Sequence, residues 1–405
     1  MMRLAVIFES SPFDRKGLFN AVHNRVKHLL ATGECAIDVF CVHSRDNAFT
    51  RRVRHTPEVP SVDETVVDGI RYRLLWYRFS ILDNVLLEKL HVRPWLFRRF
   101  MDLHVDLLKG YDAVIAHSFC GGLFALAAHE RFGVPYYVTW HGSDVHTHPW
   151  RVPVILEDTR AVMESARCNF FVSRALLEAS EKIISNARKE VLYNGVSEDF
   201  VKYSLEDRAA VRERYGLAPE DKVVAFVGNI VKVKNVLSLP EIFAKVAKGY
   251  DGPLKFWIIG DGKLRKPLEA TMDLSFRPNE VSGEISFFGN QPSPAMPDIM
   301  NCIDVLVLPS LNEGLPLVCA EALRCGAAVV GSDVGGIAEV IGSENVVPLG
   351  SPSGDPSRPY DGSFVNGMAE KVVAALTGQI PSQTLPDEIS WARTAALELA
   401  ALKSL

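Results

Sequence analysis

The chain has 405 residues, 48% of them hydrophobic and 23% charged, with a net charge of −5 and a pI near 6.1. This length points to two domains with two buried cores, and the mildly acidic balance excludes a global basic field for nucleic acid. Seven cysteines without a C-x-x-C pair, and the absence of any run of roughly 18 apolar residues, predict a cytoplasmic protein with reduced thiols, either soluble or peripheral at the inner face of the membrane.

In chain order, Leu4–Phe8 predicts a first buried strand, and the apolar stretch there is too short for a signal peptide core. A polar loop follows, then an amphipathic helix over Phe19–Leu30. Strand-like runs recur at Ile37–Val42, Ala113–Ala116, Tyr136–Thr139 and Asn169–Val172, with a helical pattern over Gly121–Arg131. Residues 71–99 hold seven Lys/Arg against Asp83 and Glu88, interleaved with aromatic residues. They read as an ordinary helix whose arginines snorkel over a core. Contact of residues 71–100 with anionic lipid is the alternative.

A polar seam at Ser197–Asp221 precedes a second alternating series: Val223–Val227, Phe256–Ile259, Ile285–Phe288, Val305–Leu308 and Ala328–Gly331. Gly350–Asp361, rich in proline and glycine, reads as a surface loop. Ser390–Leu405 reads as a final helix with Ser390 as its cap. Alternating strands and helices imply an α/β chain with two doubly wound parallel sheets, residues 1–200 and 201–388. Ligands of such sheets bind at the carboxyl ends of the strands.

The densest chemistry lies between Val305 and Ile341. A strand leads into Pro309-Ser-Leu-Asn-Glu313-Gly314-Leu315-Pro316, then a helix over Leu317–Cys325 that Pro316 opens and Gly326 stops. The free N–H groups of Leu317 and Val318 make an anion site. Glu313 before the helix and Glu321 within it would repel a diphosphate but can accept hydrogen bonds from hydroxyls on either side of one. Read alone, the same pair is also a dipole-complementing charge and a solvated glutamate.

About thirty contiguous residues from Glu313 through Glu321 to Val340 closely resemble the donor signature of the large retaining glycosyltransferase family 4 of the GT-B fold, two Rossmann-like domains facing a central cleft. The resemblance spans about Pro12 to Val340. It implies that Glu313 contacts the donor sugar, Glu321 the ribose, and the amides of Leu317 and Val318 the diphosphate. Val227-Gly-Asn229-Ile-Val-Lys-Val-Lys234 resembles the family's glycine and basic pair. Lys234 holds the second basic position, while Asn229 stands where arginine is usual, leaving one phosphate charge less neutralised unless Lys232 substitutes. Gly289-Asn290 sits where family members hold the base, although a plain strand-to-loop turn is an equal reading.

In the first half, Thr139-Trp-His141-Gly-Ser-Asp144 resembles the family's T-x-H-G-x-D segment, with His141 approaching the reacting sugar. Asp144 either orients a neighbour on the acceptor side or caps the next helix. His117 and Asn194 lie at family positions and are equally readable as packing or turn residues. Gly17, after Arg15-Lys16, occupies the family's glycine loop. The segment 389–405 resembles the terminal helix that crosses back to the first domain.

The resemblance implies transfer of a sugar from a UDP- or GDP-sugar to an acceptor hydroxyl with retention, in polysaccharide or glycolipid assembly. Expected partners are the nucleotide-sugar and a glycan or lipid-linked acceptor, with no nucleic acid. No metal site and no resident cofactor are expected. A nucleotide-sugar epimerase of the same fold is the main rival.

Overall fold

The computed structural model describes residues 1–13, 17–44, 60, 62–77, 81–276, 283–355, 358–360, 362–381 and 383–404. It resolves into two units, Met1–Gly195 with Ser390–Leu405, and Val196–Ile389.

The first unit is built on an eight-stranded sheet of β1 (Met2–Glu9), β2 (Cys35–Ser44), β3 (Glu64–Val67), β4 (Ile70–Tyr77), β5 (Ala113–His117), β6 (Tyr136–Trp140), β7 (Cys168–Phe171) and β8 (Lys189–Val191). Their order is β3-β4-β2-β1-β5-β6-β7-β8, parallel throughout except for the antiparallel β3–β4 pair at the edge. Leu4 pairs with Ile37 on one side and Ala113 on the other. Leu4 through Phe8 are all fully buried, because helices cover both faces of a parallel sheet and strand sequences there run continuously apolar. The helices used below are α1 (Gly17–Ala31), α2 (Ile81–Leu90), α3 (Trp95–His104), α4 (Ser118–Phe132) and α5 (Pro153–Ser165).

Residues 71–99 depart from the single-helix expectation. They begin as β4, whose Arg71 and Arg73 pair with Glu64 across the edge hairpin, and continue as α2 and α3. Ile70, Tyr72 and Leu74 are buried while Arg71 and Arg73 point outward, a strand alternation that the count of charges over residues 71–99 passed over. On α3, Phe97, Phe100, Met101 and His104 share one face by their spacing. Phe97 and Phe100 pack edge-on against Phe124 of α4. Trp95, Leu96, Arg99 and Leu103 share the opposite face, and Trp95 and Leu103 are about two-thirds exposed.

The second unit has six parallel strands, β9 (Lys222–Val227), β10 (Leu254–Ile259), β11 (Glu284–Gly289), β12 (Val305–Leu308), β13 (Ala328–Ser332) and β14 (Val346–Val347), in the order β11-β10-β9-β12-β13-β14. The key helix here is α6 (Leu317–Arg324). Within the stretch expected to be a surface loop, β15 (Pro352–Asp355) and β16 (Arg358–Tyr360) instead form an antiparallel pair.

The last helix, α7 (Trp391–Lys403), packs in the first unit against α1. Ser390 takes the N-cap position but its hydroxyl makes no capping bond. The attachment is instead internal. Thr394 Oγ1 donates to the Tyr193 carbonyl (2.6 Å), and Arg25 Nε donates to Glu398 Oε2 (2.6 Å) with both side chains inaccessible to solvent. Gly195 is required there, since a Cβ would sit 2.0 Å from the Trp391 nitrogen. All seven cysteines are buried free thiols. Among the described residues, no helix is long and apolar enough to cross a membrane.

Candidate active site

In the second unit the strand order reverses between β9 and β12, so the loops after these two strands diverge and leave a crevice. Lys234 comes from the first loop and Glu313 from the second. Lys234 Nζ donates to Glu313 Oε1 at 2.5 Å, and Ser310 Oγ donates to the same oxygen at 2.6 Å. A backbone bond from Leu311 N to the Val233 carbonyl (2.8 Å) holds the two loops together. The carboxylate is thus fixed by a cation and a hydroxyl and keeps Oε2 available as an acceptor.

Neighbouring loops clamp this pair. Ser332 Oγ donates to the Ser310 carbonyl (2.5 Å), and Gly336 N donates to the Gly314 carbonyl (3.0 Å). Gly335 has φ +52°, and a Cβ there would lie 1.9 Å from the Glu313 carbonyl oxygen, so only glycine fits. Ser310 and Gly335 carried no sequence signal for these contacts, because the partners meet only through the sheet.

Helix α6 begins at Leu317, where the sequence placed its start, and ends at Arg324, one residue short of Cys325. Pro316 is its N-cap, with φ −78° and ψ 96°, rather than its first helical residue. The extended ψ turns the chain into the helix, and the Pro316 carbonyl already accepts from Cys319 N (3.0 Å). Leu317 and Val318 then occupy the first two helical positions, where amides have no intrahelical acceptor. Leu315 is buried beneath the loop and Gly314 is half-buried. Glu321, also half-accessible, has its carboxyl pushed up to about 7 by burial alone.

The remaining positions in this unit differ in setting. Gly289 has φ +67° and accepts from Gly260 N (2.8 Å), stitching the ends of β11 and β10 together. Asn290 and Asn229 are exposed, as is Lys232. Among the described residues, no three His, Cys, Asp or Glu side chains are grouped to hold a metal ion.

In the first unit, strand order reverses between β1 and β5. His117 ends β5 and His141 follows β6, and their rings share an N···N hydrogen bond of 3.1 Å between Nδ1 and Nε2. Burial pushes both pKa values down, His141 to about 3 with the Arg25 charge contributing, so both imidazoles are neutral at physiological pH. Asp144 is buried and accepts from the amides of Gly142 (2.8 Å) and His141 (3.2 Å). It thereby fixes the turn that aims His141, and the short helix Ser143–His146 has Gly142 as its N-cap. Asn194 is buried beside the glycine that admits α7. Gly17 opens α1, and nothing among the described residues lies where a Cβ would sit, so none of them demands glycine there. Arg15 and Lys16 lie outside the described residues.

Two parallel-sheet Rossmann-like units, the second with a cation–carboxylate pair and a helix N-terminus at its switch point, define the GT-B class. Residues 207–351 match the family described as Glycosyl transferases group 1, and residues 17–195 match the Glycosyl transferase 4-like domain. The chain belongs to this group of GT-B glycosyltransferases.

It is 30% identical over 241 residues to the putative teichuronic acid biosynthesis glycosyltransferase TuaC of Bacillus subtilis, covering 60% of this chain and 56% of that protein. It is 28% identical to N-acetyl-alpha-D-glucosaminyl L-malate synthase of Bacillus anthracis, over 59% of each. The chain thus spans a little over half the length of these curated relatives. Among solved structures, sucrose-phosphate synthase from Thermosynechococcus elongatus superposes with a TM-score of 0.68 at 18% identity, covering all of this chain and 95% of that one. Anabaena Alr3699/HepE in complex with UDP and glucose gives 0.65 at 16% identity over the whole of both chains. These likenesses establish the fold.

Proposed function

We propose that this chain transfers a sugar from a UDP- or GDP-sugar to an acceptor hydroxyl, with retention of anomeric configuration, in polysaccharide or glycolipid assembly. The carrying observation is the Lys234–Glu313–Ser310 cluster at the β9/β12 switch point, beside the N-terminus of α6. Charge builds on the diphosphate as the glycosidic bond breaks. Lys234 and the amides of Leu317 and Val318 stabilise that charge. Glu313 accepts a hydrogen bond from a sugar hydroxyl and Glu321 accepts from the ribose. For retention, the acceptor hydroxyl attacks the anomeric carbon from the face the diphosphate leaves, and its proton passes to the departing phosphate oxygen.

His141, held neutral, serves as a hydrogen-bond partner for substrate without adding charge. The cationic side chain and helix terminus supply the electrostatics, so the reading requires neither a metal nor a resident cofactor. The UDP-glucose complex of Alr3699/HepE supports the nucleotide-sugar class.

Calorimetry with UDP, GDP and ADP, followed by transfer from the matching nucleotide-sugar, tests this reading. One nucleotide binding selectively and a product of unchanged anomeric configuration by NMR are expected. An inverted product would overturn the front-face mechanism. Alteration of the donor sugar without acceptor would instead mark an epimerase.

Peripheral membrane contact belongs to the same reading. Leu90, Val92, Trp95, Leu96 and Leu103 are exposed on and beside α3, with Lys89, Arg98 and Arg99 among them. Apolar side chains ringed by cations suit an anionic bilayer surface. Sedimentation with phosphatidylglycerol vesicles, but not with phosphatidylcholine vesicles, is expected, and Trp95→Ser should weaken it.

A further inference from the structure

The first unit carries a half-open cavity of about 530 Å³ between the ends of β1 and β4 and helices α2, α3, α4 and α5, within the size range of small-molecule sites. Most of its wall is apolar: Leu87, Phe97, Met101, Phe119, Leu123 and Ile155. Arg98 lies on the wall, and the charged residues Arg93, Asp158 and Glu88 there are engaged in ion pairs. Arg93 pairs with Asp158 (2.8 Å) and Glu157 (3.2 Å), and Arg151 pairs with Glu88 (3.1 Å). One end is different. Glu9, the last residue of β1, reaches the cavity with Tyr77, Cys120 and His148. Tyr77 OH donates to Glu9 Oε1 at 2.5 Å.

This polar end lies at the carboxyl edge of the sheet, beside the β1/β5 switch point. Phe8, the neighbour of Glu9, has its ring 6.4 Å from that of His117. The dense surroundings push the Glu9 carboxyl above its ordinary range even though solvent reaches it, with the Tyr77 and Cys120 hydrogen bonds offsetting part of the rise. A second anion would be repelled there, whereas a hydroxyl finds an acceptor. None of this was legible as a motif: Glu9, Tyr77 and Leu123 are 46 or more residues apart in sequence.

We infer that this cavity holds the apolar portion of the acceptor, an alkyl, isoprenoid or aromatic aglycone, with a hydroxyl of its head group on Glu9. Naming the occupant an acceptor rests on the transferase reading above, while binding of an apolar-tailed hydroxyl compound does not.

The test is calorimetric titration of the full chain with glucose and with butyl, hexyl and octyl glucosides below their micellar concentrations, with phenyl glucoside as a second arm. Affinity should rise by up to about fourfold per methylene until the cavity is filled. Phenyl glucoside binding without dependence on alkyl length would assign an aromatic aglycone, and dependence on alkyl length would assign a lipid. Leu123→Trp, which fills the cavity, should abolish the gain. Met101→Ala, which enlarges it, should carry the gain to longer chains, and thermal melting by circular dichroism confirms that both variants fold. Equal affinity for glucose and every glucoside would overturn the inference. So would a chain-length gain that survives in Leu123→Trp, since the tails would then be binding elsewhere. Tail binding without transfer from any nucleotide-sugar would overturn the transferase reading and leave the cavity assignment standing. Transfer to glucose with no preference for tailed acceptors would overturn the cavity assignment alone.

Discussion

Glu321 offers a sharp test of the donor site, because its two expected effects have opposite signs. Burial holds its carboxyl near pH 7 in the folded chain, against an ordinary value of 4.5. If the ribose hydroxyls donate to Glu321, nucleotide binding selects the carboxylate, whose fraction falls below pH 7. The dissociation constant for UDP should then weaken about tenfold from pH 8 to pH 6. The nucleotide's own terminal phosphate also titrates, with a second pKa near 6 expected by analogy with phosphorylated side chains. The quantity to compare is therefore the pH dependence of wild type minus that of Glu321→Gln, measured by calorimetry at pH 6, 7 and 8.

Stability runs the other way. Because the folded pKa is raised, the folded chain holds one more proton than the unfolded chain between pH 4.5 and 7. Stability is therefore lost as pH rises through that window. The full shift would correspond to about 3 kcal/mol. Solvent reaches the side chain, so we expect about 1–2 kcal/mol. Glu321→Gln should thus be more stable than wild type at pH 8 and bind UDP more weakly. Equal pH dependence of binding in the two proteins would refute the role assigned to Glu321.

Lys234→Ala removes the charge-assisted contact to the diphosphate that the proposed function assigns to it and should weaken UDP binding by roughly 10- to 100-fold, at about 1.5–3 kcal/mol for such a bond; unchanged affinity by calorimetry would remove Lys234 from the site. Gly335→Ala forces a Cβ against the Glu313 carbonyl at positive φ, so UDP binding should fall at least about tenfold along with a stability loss of about 1–2 kcal/mol from backbone strain alone. Wild-type affinity in that variant would show that the loop clamp does not position Glu313. Glu398→Leu strands the buried Arg25, whose two terminal nitrogens have no hydrogen-bond partner among the described residues, and should cost roughly 3–5 kcal/mol by denaturant unfolding. Arg25→Met combined with Glu398→Leu should recover most of that loss.

The sequence by itself determined the alternating strands and helices, because parallel strands covered on both faces must be apolar throughout and therefore stand out against amphipathic helices. It also determined the segment from Glu313 to Glu321, since a strand, a loop carboxylate and a helix N-terminus are contiguous and need no distant partner to be recognised. Strand β4 was passed over because the arginines on its outward face were counted with those of the helices that follow, and the β15–β16 pair because its prolines and glycine resemble loop composition. What only the tertiary structure decided are the meetings between distant residues. Lys234 reaches Glu313 because β9 and β12 are neighbours across a switch point, and Arg25 reaches Glu398 because the last helix packs beside the first. The Glu9 cavity exists because four helices and the ends of two strands, β1 and β4, meet around it. Local sequence carries the period of each element, whereas sheet order, which sets these meetings, emerges only when whole elements pack.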